Sequence, residues 1–231
     1  MKPQSLFITG TDTGAGKTVL ATLLTRFLRE YGVRVVALKP LCSGGRDDAL
    51  ALWSAGGKVL ALDELNPWHF RAAMAPVLAA RREGKQVQLA EVVKHIWRVS
   101  RGFELVVVEG AGGLLSPMGE DFASRELIVA LKATPIIVSP NRLGAVNQIR
   151  LTLEALPARL AAQAQVVFFD LPKPDSATRS NAALLGEFIE PERIHRLPWL
   201  GMNAKPIVIP LRGRLRVGLQ SLVRCVLPVP R

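Results

Sequence analysis

Acidic residues are missing from one end of this 231-residue chain. The last is Glu192, and positions 193–231 hold eight basic residues (Arg193, Arg196, Lys205, Arg212, Arg214, Arg216, Arg224 and Arg231) and no Asp or Glu. The chain also lacks any run of eighteen consecutive apolar residues, which argues against a membrane-spanning helix. Two cysteines, Cys42 and Cys225, are too few for a disulfide framework, and a reduced, cytoplasmic setting is expected. The opening MKPQSLFITG has neither the apolar stretch nor the cleavage site of a secretory leader, so none is expected. His69, His95 and His195 are scattered without metal-ligand spacing, which argues against zinc. Trp53, Trp68, Trp97 and Trp199 do not cluster into a stacking platform for bases.

What the chain has in excess is positive charge. Thirty Lys and Arg against 19 Asp and Glu give +11, which taken whole invites a nucleic-acid or membrane partner. Setting the acid-free end aside leaves 22 basic and 19 acidic residues in the first 192, a net +3. No nucleic acid is therefore expected on the body, and no membrane partner. Residues 204–231 contain four prolines and no acid. They admit three readings. One is a strand at 206–211 followed by a cationic amphipathic helix at 215–226 that touches an anionic surface. The second is a divergent end packed on the body with its Arg heads in water. The third is an altered gene end.

Apolar runs at 5–9, 33–38, 104–108, 135–139 and 165–169 alternate with helical patterns, the clearest at 18–31, stopped near Gly32. Residues 71–101 read mostly helical, interrupted near Gly84. Continuous apolar runs fit strands covered on both faces. The expected fold is α/β: a doubly wound, mostly parallel sheet with helices on both faces. Ligands of such sheets bind beyond the carboxyl ends of the strands.

After the first strand comes GTDTGAGKT, residues 10–18, and then a helix. Backbone N–H groups of such a loop wrap an anion. Lys17 reaches the outer phosphates, and the Thr18 hydroxyl is placed for Mg²⁺. The usual spacing puts its first glycine at position 11, which is Thr11 here; Gly10 comes one residue early. The second strand ends in Lys39, expected near the loop because consecutive strands are often neighbours. A lysine there neutralises a transferring phosphoryl group or an anionic substrate. The third strong strand ends in Glu109-Gly110-Ala111-Gly112-Gly113. A carboxylate delivered to the phosphate edge has the logic of a metal-holding acid. Of Asp47 and Asp48, the spacing alone favours a helix cap over a metal ligand. Cys42, beside Lys39, is expected to line a pocket rather than act as a nucleophile.

In this combination and order the chain resembles the dethiobiotin synthetase family of phosphate-loop ligases in biotin biosynthesis. The resemblance rests on GTDTGAGKT (10–18), KPLCSG (39–44), DALAL (48–52), Asn66-Pro67, EGAGG (109–113) with Ser116-Pro117, LGAVNQ (143–148) and PWL (198–200). It implies a phosphate-loop NTPase fold over residues 1–203, with 204–231 a divergent basic segment. It implies conversion of 7,8-diaminopelargonate, CO₂ and ATP to dethiobiotin, ADP and phosphate through a carbamate and a carbamic-phosphoric anhydride, by a homodimer. Carried over by position, Lys39 and Lys17 are catalytic. Gly14, Ala15, Gly16, Lys17, Thr18, Val19, Asp48, Glu109, Gly110, Ala111, Gly112, Asp170, Pro198, Trp199 and Leu200 bind ATP. Thr13, Ser43, Gly144, Ala145, Val146 and Asn147 bind the diamine substrate, and Thr18, Asp48 and Glu109 hold Mg²⁺. Three positions depart from the family pattern. Gly14 stands where a glutamate is common, Phe169 at an Asn position of the base-reading segment, and Gln148 at a common His. Two other functions stay open: an ATPase switch of the partitioning type, and a decayed paralogue that binds nucleotide without turnover. Against the switch, position 12 is Asp12 rather than an extra lysine.

Overall fold

The strongest apolar runs have no polar face to offer water, so each needs cover on both sides. In the computed structural model, which describes residues 2–201 and 204–227, they find it in a six-stranded sheet. The elements are β1 (Gln4–Gly10), α1 (Lys17–Glu30), β2 (Val35–Leu38), β3 (Leu41–Ser43), α2 (Asp47–Ala55), α3 (Leu62–Leu65), β4 (Trp68–Phe70), α4 (Pro76–Arg82), α5 (Leu89–Val99), β5 (Leu105–Gly113), α6 (Ser124–Leu131), β6 (Thr134–Pro140), α7 (Ala145–Glu154), α8 (Ala158–Gln163), β7 (Gln165–Phe169), α9 (Ser176–Leu185), β8 (Ile194–Leu197) and α10 (Gly213–Val226). The sheet order is β2-β5-β1-β6-β7-β8, and every pairing is parallel. A second, two-stranded sheet joins β3 and β4.

From β1 the chain crosses to β2 on one side. After β5 it crosses to β6 on the other. With right-handed crossovers, those opposite directions put α1 and α6 on opposite faces of the sheet. The reversal at β1 opens a crevice at the carboxyl end of the sheet, where an α/β fold places its ligand. The fully buried Phe7, Leu24, Phe27, Val107, Ile137 and Phe168 belong to the core cluster, and the doubly wound expectation holds. No helix among the described residues is long and apolar enough to cross a membrane.

Four local expectations are corrected. The first two consecutive strands are not neighbours, because β5 lies between β1 and β2. Residues 71–75 are irregular; helix begins only at Pro76 and lapses over 83–88, where Gly84 turns at φ 66°. The strand expected to stop at Val108 runs on through Glu109 to Gly113. In the tail, residues 206–209 form a turn and a bend and 210–211 are irregular, rather than a strand over 206–211. Their carbonyls are taken up by Arg26 of α1, which donates to Pro206 O at 2.6 Å and Ile209 O at 2.9 Å.

The tail helix does form, but its apolar face is spent on the body. Leu215, Leu219, Leu222 and Val226 are buried in the core cluster, and α10 packs on β8 and α1. Gly218 permits that approach, since a Cβ there would lie 2.5 Å from Arg196 O. Arg216 lies over the Tyr31 and Phe27 rings and pairs with Glu30 at 3.7 Å. Arg212, Arg214 and Arg224 face water. Of the three readings of the tail, this matches an end packed on the body with its Arg heads in water. The boundary drawn at residue 203, and residues 228–231, lie outside the described residues.

Candidate active site

The phosphate loop shows why its first glycine comes early. The loop folds back over Gly10, where a Cβ would meet Asp12 O at 2.9 Å and the Ala15 Cβ at 3.1 Å. Gly10 thus supplies the close approach that the usual spacing assigns to position 11. Gly16, at φ 101°, turns the chain into α1, so the first N–H groups of the helix face the crevice. Gly14 also takes a left-handed backbone, φ 76°, with open space around it. Lys17 folds over the loop and donates to Asp12 O at 3.0 Å.

The ends of β2 and β5 bring a second cation to the same edge. Lys39 Nζ donates to Glu109 Oε1 at 2.5 Å and to Gly110 O at 3.0 Å, and pairs with Asp48 Oδ2 at 3.2 Å. Thr18 Oγ1 donates to the same Glu109 Oε1 at 2.7 Å. Asp48 does not cap a helix: the N-cap of α2 is Arg46, and both aspartates lie in the first turn. The reason is positional. Two residues past the cap, the Asp48 carboxylate still gains from the helix dipole but projects toward Lys39.

Burial separates the charges. Complete burial pushes the Glu109 carboxyl up, only partly offset by Lys39. For Lys39, burial alone lowers the ammonium, but Glu109 and Asp48 outweigh it and hold the pKa above the ordinary lysine value. Asp48 is half-exposed. Burial works against its charge, but Lys39, a hydrogen bond from Thr18 and Lys17 hold it below the usual carboxylate range. Burial, helped by the Lys39 charge, lowers Lys17. Burial raises the Cys42 thiol, which agrees with lining the pocket rather than attacking a substrate.

Around this cluster lies a cavity of about 810 Å³. Thr13, Gly14, Gly16, Lys17, Thr18, Val19, Lys39, Ser43, Asp48, Glu109, Ala111 and Gly112 all line it. Ala15 is buried behind the loop, and Gly110 contributes its carbonyl to Lys39. Gly144, Ala145, Val146 and Asn147 lie outside this cavity, at the start of α7. Gln148, one residue on, lines an adjoining groove of about 420 Å³ with Asp12 and Ser116. Asp170, Pro198, Trp199 and Leu200 lie beyond β7 and β8 and also outside the cavity. Asp170 Oδ1 accepts from Asn141 at 2.9 Å and Arg196 at 2.9 Å. Phe169 packs on the loop itself, its ring edge 2.9 Å from the position a Gly16 Cβ would take.

One cavity wall, Ala73 to Pro76, escapes the sequence reading because those residues carry a helical pattern. That reading also gives no role to two buried asparagines. Asn66 bonds Lys39, Arg46 and Cys42; Asn141 ties the end of β6 to Asp170, Thr178 and Asn181. A signal is present in each case: Asn141 directly follows the apolar strand β6, and Asn66 follows a short helix and precedes a proline.

One unsatisfied atom points to a cation. Glu109 Oε2 is buried and has no hydrogen-bond partner among the described residues. An orphaned carboxylate oxygen beside a hydroxyl and a second carboxylate is the all-oxygen donor set Mg²⁺ favours. The residues Thr18, Asp48 and Glu109 fit that ion.

A family model described as an AAA domain matches residues 4–205. The ATP-dependent dethiobiotin synthetase BioD of Anaeromyxobacter dehalogenans (strain 2CP-C) is 39% identical over 201 residues, covering 85% of this chain and 90% of that protein. The protein of that name from Akkermansia muciniphila is 35% identical over 205 residues, covering 87% and 96%. Its counterpart in Bacillus subtilis (strain 168) is 32% identical over 208 residues, covering 87% of each.

Proposed function

The chain belongs to the dethiobiotin synthetase family, and from that premise we propose that it closes the cyclic urea of dethiobiotin from 7,8-diaminopelargonate, CO₂ and ATP through a carbamate and a carbamic-phosphoric anhydride. It is an ATP-dependent ligase that forms carbon–nitrogen bonds. The observation that carries the finer reading is the cluster of Lys39, Glu109, Asp48 and Thr18 at the mouth of the phosphate loop.

The chemistry follows from charge. One substrate amine adds to CO₂ and loses a proton, giving a carbamate. A carbamate oxygen attacks the γ-phosphorus and ADP leaves. The second amine then attacks the carbamoyl carbon and loses a proton, and phosphate leaves with the C–O electron pair. Each step places negative charge between Lys17 and Lys39. Two buried ammonium groups and the loop N–H groups stabilise it without reorganising at the moment of reaction. All three Lys39 donors are engaged. An incoming carbamate must exchange with one acceptor, and the half-exposed Asp48 is the one that can yield to it. Thr13 and Ser43 line the same cavity within reach of a bound diamine. Gly14, Ala15, Gly16, Val19 and the backbone of Gly110, Ala111 and Gly112 enclose the phosphates. Asp170, Pro198, Trp199 and Leu200 form the side toward the base. Thr18, Asp48 and Glu109 would hold Mg²⁺, which supplies charge neutralisation on the phosphate oxygens.

Gly144, Ala145, Val146 and Asn147 would receive the substrate carboxylate at the start of α7 across a homodimer. The exposed Leu143, just before that helix start, and Leu151, about two turns along α7, give the second copy an apolar face.

Phosphate release measured with diaminopelargonate and bicarbonate, using ATP, CTP and GTP in turn, tests the assignment. Release that does not depend on the diamine would refute it, and would favour an ATPase switch instead. Replacing Glu109 by Gln is expected to raise the Mg²⁺ concentration needed for half activity by about tenfold. An unchanged Mg²⁺ titration would remove Glu109 from the ligand set.

A further inference from the structure

Asn66 sits where α3 ends and Pro67 begins, 1% exposed. Its side-chain amide joins two segments. Nδ2 donates to Lys39 O at 2.7 Å, and Oδ1 accepts from Arg46 Nε at 3.0 Å and from Cys42 Sγ at 3.2 Å. The partners fix which way the amide points, because a carbonyl only accepts and a guanidinium only donates. Arg46 adds a second bond, from Nη2 to Asn66 O at 3.0 Å, and is anchored outside by Asp63 at 2.8 Å. Lys39 N in turn donates to Leu65 O at 3.2 Å.

The two ends of this brace are the main chain at Lys39 and the N-cap of α2, two residues before Asp48. Lys39 and Asp48 are the residues whose charged groups meet at 3.2 Å beside the phosphate loop. Asn66 does not line the cavity, so it touches neither substrate nor nucleotide there. Between Lys39 and Asp48 the chain runs through β3, which β4 holds, and then through Gly44, at φ 81°, and Gly45, where the backbone does not fix the approach of α2 by itself.

Resting on the ligase assignment above, we propose that Asn66 is a positioning residue: through Lys39 O and Arg46 it sets the distance between Lys39 and Asp48, and so aims the Lys39 ammonium at the reacting phosphoryl group. It acts through Lys39 and takes no part in bond making.

The test uses Asn66→Ala and Asn66→Asp in the full chain, with melting temperature recorded for each. Asn66→Asp keeps the acceptor for Arg46 but sets an oxygen against Lys39 O. Asn66→Ala is expected to lower kcat by about 30-fold, the scale on which small misplacements of a catalytic group act, with nucleotide affinity unchanged within about twofold. A second readout needs no turnover. The Lys39 ammonium resonance of the ligand-free protein, identified by its loss in Lys39→Ala, is expected to shift or broaden in both variants. A folded Asn66→Ala protein with wild-type kcat overturns the proposal. So does a kcat loss with the Lys39 resonance unmoved. If Asn66→Ala does not fold, Asn66→Asp carries the same two measurements. Should the wild type show no diamine-dependent release, the ligase assignment falls, and the resonance still decides whether Asn66 holds Lys39.

Discussion

The protein carries positive charge in two very different settings. At the carboxyl edge of the sheet, Lys17 and Lys39 are both buried, and Lys39 bonds two carboxylates and a carbonyl. In the tail, Arg212, Arg214 and Arg224 stand in water, while Leu215, Leu219, Leu222 and Val226 attach their helix to the body. A buried cation is expensive, so it persists only where partners hold it, and its surroundings specify what it can do. A solvated arginine costs little and specifies little. The charge that dominates the composition is therefore the less informative of the two.

Four measurements would break or sharpen that contrast. The largest effect is expected from Lys39→Ala, which should slow ring closure by about 10³-fold, or about 4 kcal/mol, while nucleotide binding stays measurable. A near-normal ligase rate in this variant would refute the role given to Lys39.

Next comes the junction between the two regions. Buried His195 bonds Ser221 of α10 and Gln165 of β7, each at 3.0 Å. Burial pushes its pKa down to about 4. The unfolded chain thus binds a proton near pH 6.5 that the folded chain refuses until about pH 4. Stability should fall through that window as pH drops, by about 3 kcal/mol in urea titrations. His195→Gln should flatten the dependence; an unchanged slope would assign it elsewhere.

A smaller loss, about 2 kcal/mol, is expected for Gly218→Val, whose side chain would collide with Arg196 O and lever α10 off β8. A wild-type melting curve would show that the helix is not seated there. Smallest of all, changing Arg212, Arg214 and Arg224 to Gln should alter stability by less than about 0.5 kcal/mol each and leave the ligase rate unchanged. If that triple variant lost activity tenfold or more, the tail would share in function and the contrast would fail.

Much of the site could be read in advance because its parts are local. GTDTGAGKT needs only its neighbours to become a strand, a loop and a helix start. The end of an apolar strand announces where Glu109 emerges, and it does emerge beside Thr18. The errors came where long-range contacts decide. Residues 71–75 carry helix-forming residues, yet they are irregular and form part of the cavity wall beside Gly44 and Ser43. Asp48 could have been a cap by type; the position of Lys39 shows its use. Asn66 enters the sequence reading only as part of the Asn66-Pro67 match, and only its partners reveal a brace.

The sequence alone determined the parallel α/β class, the phosphate loop and the near-balance of charge in the body, since periodicity, glycine placement and composition are properties of short stretches. Tertiary structure decided that β5 inserts between β1 and β2, that Lys39 meets Glu109 and Asp48, and that the tail helix lies on β8. Those outcomes depend on which surfaces fit together and which charges find partners, and residues far apart in the chain settle both.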